Sequence, residues 1–519
     1  MGESMNNMPN ILLAPFEMDV DVEESESELE SETDDGMSDP SSDENDDVEM
    51  HFLLRLDPAE DVYDDNDDGA KRRCQRTKQQ PFKWKSELDE DAGPAPLDFL
   101  PAREPGVHLN ADEDYTPLQL FKLFFPEDAV ETLCRNTNKQ GARTVARGAR
   151  YEWEDVEMAD FYKFIGIICF MSLREFKDLN DYWSRDYLFN CPYPRLIMAM
   201  EKFRKIFWNL HMSDPDEDVE NDAKTGTPSH DKLFRVKPLM DTVLTACKTF
   251  YQPRRNLSVE ERRVLPEELT RRRRVIETRR FGLKMFVITD STNGYTVNFS
   301  VYAGKSEFPD GHGLSYDSVM SLTNQGNLGS GYHLYMDGYF TSPKLFNDLY
   351  AANFGACGEY RESRKGCPRS KLNALTRNSP MGTIRWTRQG PLVYVKWMGK
   401  GRLSVCSSIH PAYAGDTVLR RVASASSKQP IPCPKPALEY KGRCKDVENI
   451  GDNTVLYDIM RHKSVKWYKT AFVHLLDIAV TNAFVLHKEL MQSMREESMS
   501  YTDFIEELVE QLWGVSLRV

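Results

Sequence analysis

Two acidic residues follow short apolar runs of the sequence, where a carboxylate can bind a metal ion or accept a proton. Asp337 ends the stretch His-Leu-Tyr-Met-Asp, and Gly338 comes directly after it. Asp290 ends the stretch Val-Ile-Thr-Asp and opens Asp-Ser-Thr-Asn-Gly. Asp-Ser-Thr-Asn-Gly is rich in residues that favour turns, so we interpret Asp290 as a turn residue. For Asp337 two interpretations stay open, a turn residue or a functional acid at the end of a strand.

The segments that must position these acids show β patterns. Phe281–Gly304 contains two β-rich runs around Ser-Thr-Asn-Gly, which predicts a hairpin. His333–Met336 predicts a further strand, and the Thr-Ser-Pro sequence after Asp337 is typical of a helix start. Pro380–His410 predicts more short strands separated by Gly turns. We therefore expect a mixed α/β core in which Asp337 lies between a strand and a helix.

Helical patterns flank this core on both sides. From Tyr115 to Tyr251 apolar residues recur at three-to-four spacing, and "TPLQLFKLFF" opens with a good helix cap. Two more helices are predicted in "SVKWYKTAFVHLLDIAVTNAFVLHKELM" and "YTDFIEELVEQLW". His474, Asp477 and Asn482 interrupt the first of these, so we expect a buried helix of a soluble protein rather than a membrane span.

Charge is unevenly distributed along the 519 residues. The net charge is −16, yet residues 1–68 hold 25 Asp and Glu against one Arg, and the remainder is basic by +8. Residues 17–68 are too charged to form a core, so we expect a disordered acidic tail that can recruit protein partners. The basic cluster Lys71–Lys85 is interpreted either as a solvated linker or as a nuclear-import or phosphate-binding segment. An acidic tail before a basic body is typical of proteins that meet nucleic acid.

The ten cysteines are scattered singly, without a CxxC pair. This pattern predicts reduced thiols, no disulfide framework and no zinc. The N-terminus lacks a basic region followed by a long apolar run, so no secretory signal is expected. These features predict an intracellular protein.

Several blocks of the chain, in the same order along it, resemble the piggyBac transposase family. They are "TPLQLFKLFFPEDAVETLCRNTN", "FIGIICFMSL", "DYWSRD", "NLHMSD", "FGLKMFVITDSTNGYTVNFSVYAGKS", "MDGYFTSPKLFNDLY" and "SVKWYKTAFVHLLDIAVTNAFVLHKEL". Together the blocks extend over roughly residues 110–490.

The resemblance implies an α/β fold with a ribonuclease H-like core, interrupted by a β-rich insertion and embraced by an α-helical domain from both flanks. The expected organisation, in chain order, is a disordered acidic tail and basic linker (1–100), a helical dimerisation and DNA-binding region (110–255), the ribonuclease H-like core (256–365), the β-rich insertion (366–430), the end of the core (431–455) and C-terminal helices that pack on the first helical region (456–519).

The resemblance also implies a catalytic site in which three aspartates hold two Mg²⁺ ions for attack on a DNA phosphate. The matching positions in this chain are Glu260, Asp337 and Glu448, which we predict as catalytic and metal-binding residues. A one-residue slip keeps Asp446 and Asp452 as alternatives to Glu448. Glutamate at the first position adds a methylene, about 1.5 Å of reach, whereas Mg²⁺ requires near-ideal octahedral geometry. Mg²⁺ is therefore expected only if this acidic site is intact, and both glutamates have an alternative as exposed acids in strand-end or loop segments.

DNA association is expected to rest on basic clusters. The first of these comprises Arg271, Arg272, Arg273, Arg274, Arg279 and Arg280, and the others are Glu362–Lys371 and Arg420–Arg421. Phosphate contacts of this kind give affinity without sequence information. No cysteine follows Cys444, so the Cys/His-rich zinc-binding domain that many family members carry at their C-terminus is not expected.

Three functional hypotheses follow. The first is a domesticated nuclear protein, with a homodimer as one expectation, that keeps a transposase fold and DNA association but has lost or weakened catalysis. The second is an active Mg²⁺-dependent DNA strand transferase, and the third is a protein-interaction scaffold without a DNA role. None of the three involves a membrane.

Overall fold

Helices surround a large mixed β-sheet. The computed structural model describes residues 83–174, 176, 178–185, 193–264, 283–302, 312–369, 375–376, 378–421, 428–448 and 466–515. The helices are α1 (Pro117–Lys122), α2 (Glu127–Ala146), α3 (Met158–Leu173), α4 (Tyr193–Ile197), α5 (Met200–Asn209), α6 (Pro215–Asp222), α7 (Lys237–Thr249), α8 (Leu314–Leu322), α9 (Gln325–Leu328), α10 (Pro343–Ala351), α11 (Lys435–Glu448), α12 (Trp467–Met494) and α13 (Tyr501–Trp513), with a 3₁₀ turn at Leu179–Trp183. The strands are β1 (Lys85–Ser86), β2 (Leu100–Pro101), β3 (Gly106–Val107), β4 (Tyr251–Gln252), β5 (Asn256–Val264), β6 (Leu283–Asp290), β7 (Thr296–Val301), β8 (Gly329–Ser330), β9 (His333–Met336), β10 (Gly355–Glu359), β11 (Ile384–Gln389), β12 (Leu392–Met398), β13 (Arg402–Ser407), β14 (Thr417–Arg421) and β15 (Lys428–Pro432).

The main sheet of the described chain has nine strands in the order β1-β11-β12-β13-β10-β9-β5-β6-β7. Strands β5, β6 and β7 are antiparallel, β9 runs parallel to β5, and β10 runs parallel to β9. This confirms the mixed α/β fold, and the order of these five strands agrees with the ribonuclease H-like core that the resemblance implies. Strand β13 pairs antiparallel with β10, so the strands predicted as an insertion continue the sheet of the core. The domain boundaries themselves stay predictions.

The predicted hairpin is formed by β6 and β7, and Asp290 lies at its turn. The Asp290 carboxylate accepts hydrogen bonds from the backbone N–H and hydroxyl of Thr292 (2.9 and 2.6 Å), the Arg254 N–H (2.7 Å) and the Tyr251 hydroxyl (3.0 Å). A buried carboxylate with this many donors is fully engaged. The interpretation of Asp290 as a turn residue is therefore confirmed.

The C-terminal helix α12 lies in the core of the fold. Among the described helices it alone is long and apolar enough to cross a membrane, but almost all of that stretch is buried inside the protein. It packs on α1, α7 and β6, while α13 packs on α3. The helix is therefore a core element, as the sequence predicted.

The polar residues of α12 have partners in the sheet. The Asn482 amide accepts from the backbone N–H of Thr296 (2.8 Å) and donates to its carbonyl oxygen (3.0 Å). Thr296 begins β7, the edge strand of the described sheet, so the side chain substitutes for a neighbouring strand. Glu489 accepts two hydrogen bonds from Arg254 (2.9 and 2.6 Å), just before β5. These contacts fix the position of α12 against the strands.

Asp477 on α12 is the most unusual of these polar residues. It is buried near Cys169 of α3, and Arg262 of β5 is close enough for its charge to act on it. Burial raises the pKa of Asp477 to about 6, against the smaller opposite effect of Arg262. The pKa of His474, one turn earlier in the helix, is shifted the other way, because burial holds it well below the usual value.

We expect Asp477→Asn to stabilise the protein at pH 8 but not at acidic pH. A carboxyl group whose folded pKa is raised contributes stability below its unfolded pKa, and that contribution is lost as the pH rises to about 6. The neutral amide avoids this loss, so the free energy of unfolding should rise by roughly 2–3 kcal/mol at pH 8. Urea unfolding at pH 4.5, 6 and 8 measures the difference, and the exposed Glu497→Gln is the control. A gain that does not change with pH would contradict the prediction.

Candidate functional site

The candidate site lies where β9 ends beside the middle of the longer parallel strand β5. In the β5–β9 pair, Val259 is opposite Met336. Glu260 directly follows Val259, and Asp337 directly follows Met336. Neighbouring strands lie about 5 Å apart. The structure therefore brings two of the three sequence-predicted acids together, although 77 positions separate them in the numbering.

The two consecutive glutamates of β5 face opposite sides of the sheet. Glu260 accepts a hydrogen bond from the Ser258 hydroxyl (3.2 Å), so both side chains lie on one face. Glu261 lies on the other face, with its carboxylate 3.5 Å from the buried Lys284 ammonium. This alternation follows from the period of two in a strand. It makes Glu260 the candidate for the site and gives Glu261 a structural ion pair.

Asp337 is exposed and organises the turn that follows β9. Its Oδ1 accepts a hydrogen bond from the Tyr339 N–H (2.9 Å). Its carbonyl oxygen accepts from the backbone N–H (3.2 Å) and the hydroxyl (2.8 Å) of Thr341. Within the described residues Oδ2 has no hydrogen-bond donor. The residue therefore acts in the turn and still presents one oxygen to a ligand, which fits both interpretations of the sequence.

Arg364 holds this turn from outside, a role that the sequence did not reveal. Its guanidinium donates to the carbonyl oxygens of Tyr339 (2.7 Å) and Thr341 (2.5 Å). The sequence placed Arg364 in a basic segment, Glu362–Lys371, that was predicted to contact DNA. In the structure this side chain is engaged with the turn of Asp337. No local pattern predicts such a contact, because 23 positions separate Arg364 from Thr341.

Helix α11 crosses the face of the sheet on which Glu260 lies. The Pro436 carbonyl in its first turn accepts a hydrogen bond from the Cys357 thiol of β10 (3.6 Å), and the Arg443 guanidinium lies close enough to Tyr335 of β9 to act on its pKa. The helix also packs against β5. The helix therefore lies across three neighbouring strands, β10, β9 and β5, the last of which carries Glu260.

Glu448 is the last residue of α11. The loop or strand-end alternative for this residue is therefore wrong, since its backbone is helical. The side chains of Glu448 and Asp446 lie outside the described part of the structure, and so does the whole of Asp452. The same holds for the predicted DNA-binding residues Arg271, Arg272, Arg273, Arg274, Arg279 and Arg280. Their roles stay predictions.

The donors at the site suit Mg²⁺ in chemical type. Asp337 and Glu260 offer carboxylate oxygens, which are the ligands that Mg²⁺ prefers. Within the described ranges no group of three or more His, Cys, Asp or Glu residues is placed to hold a metal ion. Glu448, the predicted third carboxylate, has its side chain outside the described residues.

Comparisons with known proteins agree with this architecture. The family model described as "Transposase IS4" matches residues 116–484. The human "PiggyBac transposable element-derived protein 5" is 20% identical over 414 residues, covering 77% of this chain and 75% of that protein. The human "PiggyBac transposable element-derived protein 2" is 22% identical over 470 residues, covering 85% and 73%. A solved structure of the piggyBac transposase synaptic complex with hairpin DNA superposes with a TM-score of 0.61 at 20% identity, covering 79% of this chain and 82% of that one.

We expect Gly358→Ala to disturb the site. Gly358 pairs with Met336 between β10 and β9. A Cβ added there would collide with the Met336 carbonyl oxygen and the Thr341 hydroxyl. Relief of this collision must displace the residues on both sides of Asp337, at roughly 1–3 kcal/mol.

Gly442→Ala is the matched control for that variant. Gly442 lies in α11, and nothing would contact an added Cβ within 4 Å. Alanine there should stabilise the helix by about 0.5–1 kcal/mol. Urea unfolding compares the two variants, and equal effects would contradict the collision at Gly358.

Proposed function

The chain belongs to the Transposase IS4 family as a relative of the piggyBac transposases, and we propose that it is a domesticated, transposase-derived nuclear protein that binds DNA through the inherited fold and has weakened catalysis. The observation that carries the proposal is the glutamate that occupies the first acidic position beside Asp337.

Glu260 is poorly suited to the first position of a two-metal site. Its side chain is about 1.5 Å longer than the aspartate that the family resemblance implies. Its Oε1 accepts a hydrogen bond from Ser258 of its own strand. A bridging ligand must be held within a fraction of an ångström, and Mg²⁺ tolerates little distortion. These features support weakened phosphoryl transfer.

Association with DNA is supported by the fold and by charge. The solved relative of similar fold is a transposase in a complex with hairpin DNA. Residues 69–519 of this chain carry a net charge of +8, in contrast to the acidic first 68 residues. Contacts from Lys and Arg to phosphates would give largely non-specific binding. The basic cluster Lys71–Lys85 supports nuclear import, and a homodimer completes the proposal, as the resemblance implies.

A second candidate is an active Mg²⁺-dependent DNA strand transferase. The observation that favours it is the adjacency of Glu260 and Asp337, on a region of the sheet that α11 also contacts. Asp337, Glu260 and Glu448 would hold the ions. When bound, the metal would activate the attacking oxygen and stabilise the leaving one. The carboxylates of the chain would orient the phosphate, and the pairing of β5 with β9 would hold Glu260 and Asp337 side by side.

We expect Glu260→Asp to increase DNA nicking in the presence of Mg²⁺ or Mn²⁺. The wild-type chain should nick a labelled hairpin substrate weakly, and the shorter carboxylate should raise the rate by roughly tenfold or more, about 1.4 kcal/mol of transition-state stabilisation. Adding Asp337→Ala should abolish the gain.

Glu261→Asp provides the matched control, because this glutamate faces the other side of the sheet against Lys284. It should leave nicking unchanged. Robust wild-type nicking that Asp337→Ala abolishes and that Glu260→Asp does not improve would favour the active transferase instead.

Binding to generic duplex DNA should be retained by Asp337→Ala and should fall steeply with salt. Each phosphate contact contributes a slope of about −0.9 to the logarithm of affinity against the logarithm of salt concentration. Fluorescence anisotropy between 50 and 200 mM NaCl measures it. Absence of binding at low salt would leave the interaction scaffold as the better hypothesis.

A further inference from the structure

Strands β14 and β15 form a two-stranded ribbon outside the nine-stranded sheet. Its inner face carries Val418 and the buried Ile431, which pack on the apolar cluster beneath β11 and β12. The outer face alternates with it and is exposed. Its cross-strand pairs are Thr417–Pro432, Leu419–Pro430 and Arg421–Lys428.

The outer face combines two cations with an apolar pair. Arg421 and Lys428 are directly opposite each other, and the described residues give neither an ion-pair partner. Like charges in this position destabilise a ribbon. Leu419, in the next pair on the same face, is 64% exposed. The surface therefore fits an acidic ligand that also carries apolar side chains.

The described chain begins close to this ribbon. The Lys83 carbonyl accepts a hydrogen bond from Thr387 of β11 (3.1 Å). Gly382, two residues before β11, lies against Pro432 at the base of the ribbon. Five residues separate Gly382 from Thr387, at most about 17 Å, and four more pairs lead to Arg421, about 14 Å. The path from Lys83 to the two cations is therefore on the order of 30 Å.

The segment that precedes Lys83 has the complementary chemistry. Residues 57–68 read Asp-Pro-Ala-Glu-Asp-Val-Tyr-Asp-Asp-Asn-Asp-Asp, with seven acids around Val62 and Tyr63. The 15 residues from Asp68 to Lys83 can span up to about 50 Å, so this acidic segment can reach the ribbon.

We propose that the acidic segment Asp57–Asp68 docks on the outer face of the β14–β15 ribbon. Its carboxylates pair with Arg421 and Lys428, and Val62 and Tyr63 cover Leu419 and Pro430. A DNA phosphate would satisfy the cations but would leave the apolar pair without a partner, so the peptide is the better occupant. Tethering raises its effective concentration to the millimolar range. The consequence rests on the proposed function: the docked segment competes with DNA for the basic surface and lowers the DNA affinity of the full chain.

Zero-length carbodiimide cross-linking of the full chain tests the contact without DNA. Mass spectrometry should find Lys428 joined to acids of residues 57–68, at a yield that falls in 0.5 M NaCl. The exposed Lys400, in the turn between β12 and β13 of the nine-stranded sheet, is the internal comparison. Asp64→Asn/Asp65→Asn/Asp67→Asn/Asp68→Asn should reduce the Lys428 yield about fivefold or more, and Leu419→Ser should reduce it as well.

The matched control removes four charges farther from the tether. Glu23→Gln/Glu24→Gln/Glu26→Gln/Glu28→Gln should leave the Lys428 cross-links within about twofold and should not change DNA affinity. The variant in which Asp64, Asp65, Asp67 and Asp68 are replaced by Asn should bind DNA several-fold more tightly. Equal cross-linking of Lys400 and Lys428, or cross-links only to Lys71 and Lys78, would overturn the proposal. If the wild-type chain gives no Lys428 cross-links and Arg421→Gln/Lys428→Gln binds DNA more weakly, DNA is the occupant of the ribbon.

Discussion

The parallel pairing of β5 with β9 is the constraint on which the candidate site depends. It places Glu260 beside Asp337, and a slip of one residue would bring Glu261, with its opposite orientation, to that position. Parallel pairing cannot be set by a tight turn and needs a crossover. The register is fixed instead by contacts at the start of the two strands, where the His333 N–H donates to the Arg255 carbonyl (2.8 Å).

The long-range polar contacts stabilise this register. Arg254, just before β5, pairs with Glu489 of α12, and the same glutamate accepts from Asn293 in the β6–β7 turn (2.9 Å). The pKa of Glu489 lies below its usual value, because Arg254 and Asn293 together outweigh the opposing effect of burial. Helix α12 therefore joins the beginning of β5 to the turn of the hairpin. This helix, which the sequence predicts as a buried core element, also fixes the position of the strand that carries Glu260.

What the sequence could predict was local. The β6–β7 hairpin, the turn role of Asp290 and the start of α10 followed from residue types at fixed offsets, and the Ser342 hydroxyl does accept from the Leu345 N–H (3.2 Å). The clamp of Arg364 and the face of Glu260 depend on pairing between distant segments, which no local pattern contains. The helix that ends at Glu448 was missed because "KPALEYKGRCKDVE" includes a Gly and many charges, and so lacks a clear apolar stripe. Its packing on the sheet, a tertiary effect, is what stabilises it.

The two acids at the site differ in what else they do, and this difference bears on their chemistry. Asp337 caps the turn after β9 through its own side chain, a role that Asp and Asn fill well. The turn therefore gives this position a structural reason to keep a short side chain with an acceptor oxygen, whether or not a metal binds. Glu260 accepts a hydrogen bond from the Ser258 hydroxyl of its own strand (3.2 Å). In the proposed function, the acid that organises a turn is still the aspartate that the family resemblance implies, whereas the acid within β5 is a glutamate, and the longer side chain is what weakens metal binding there.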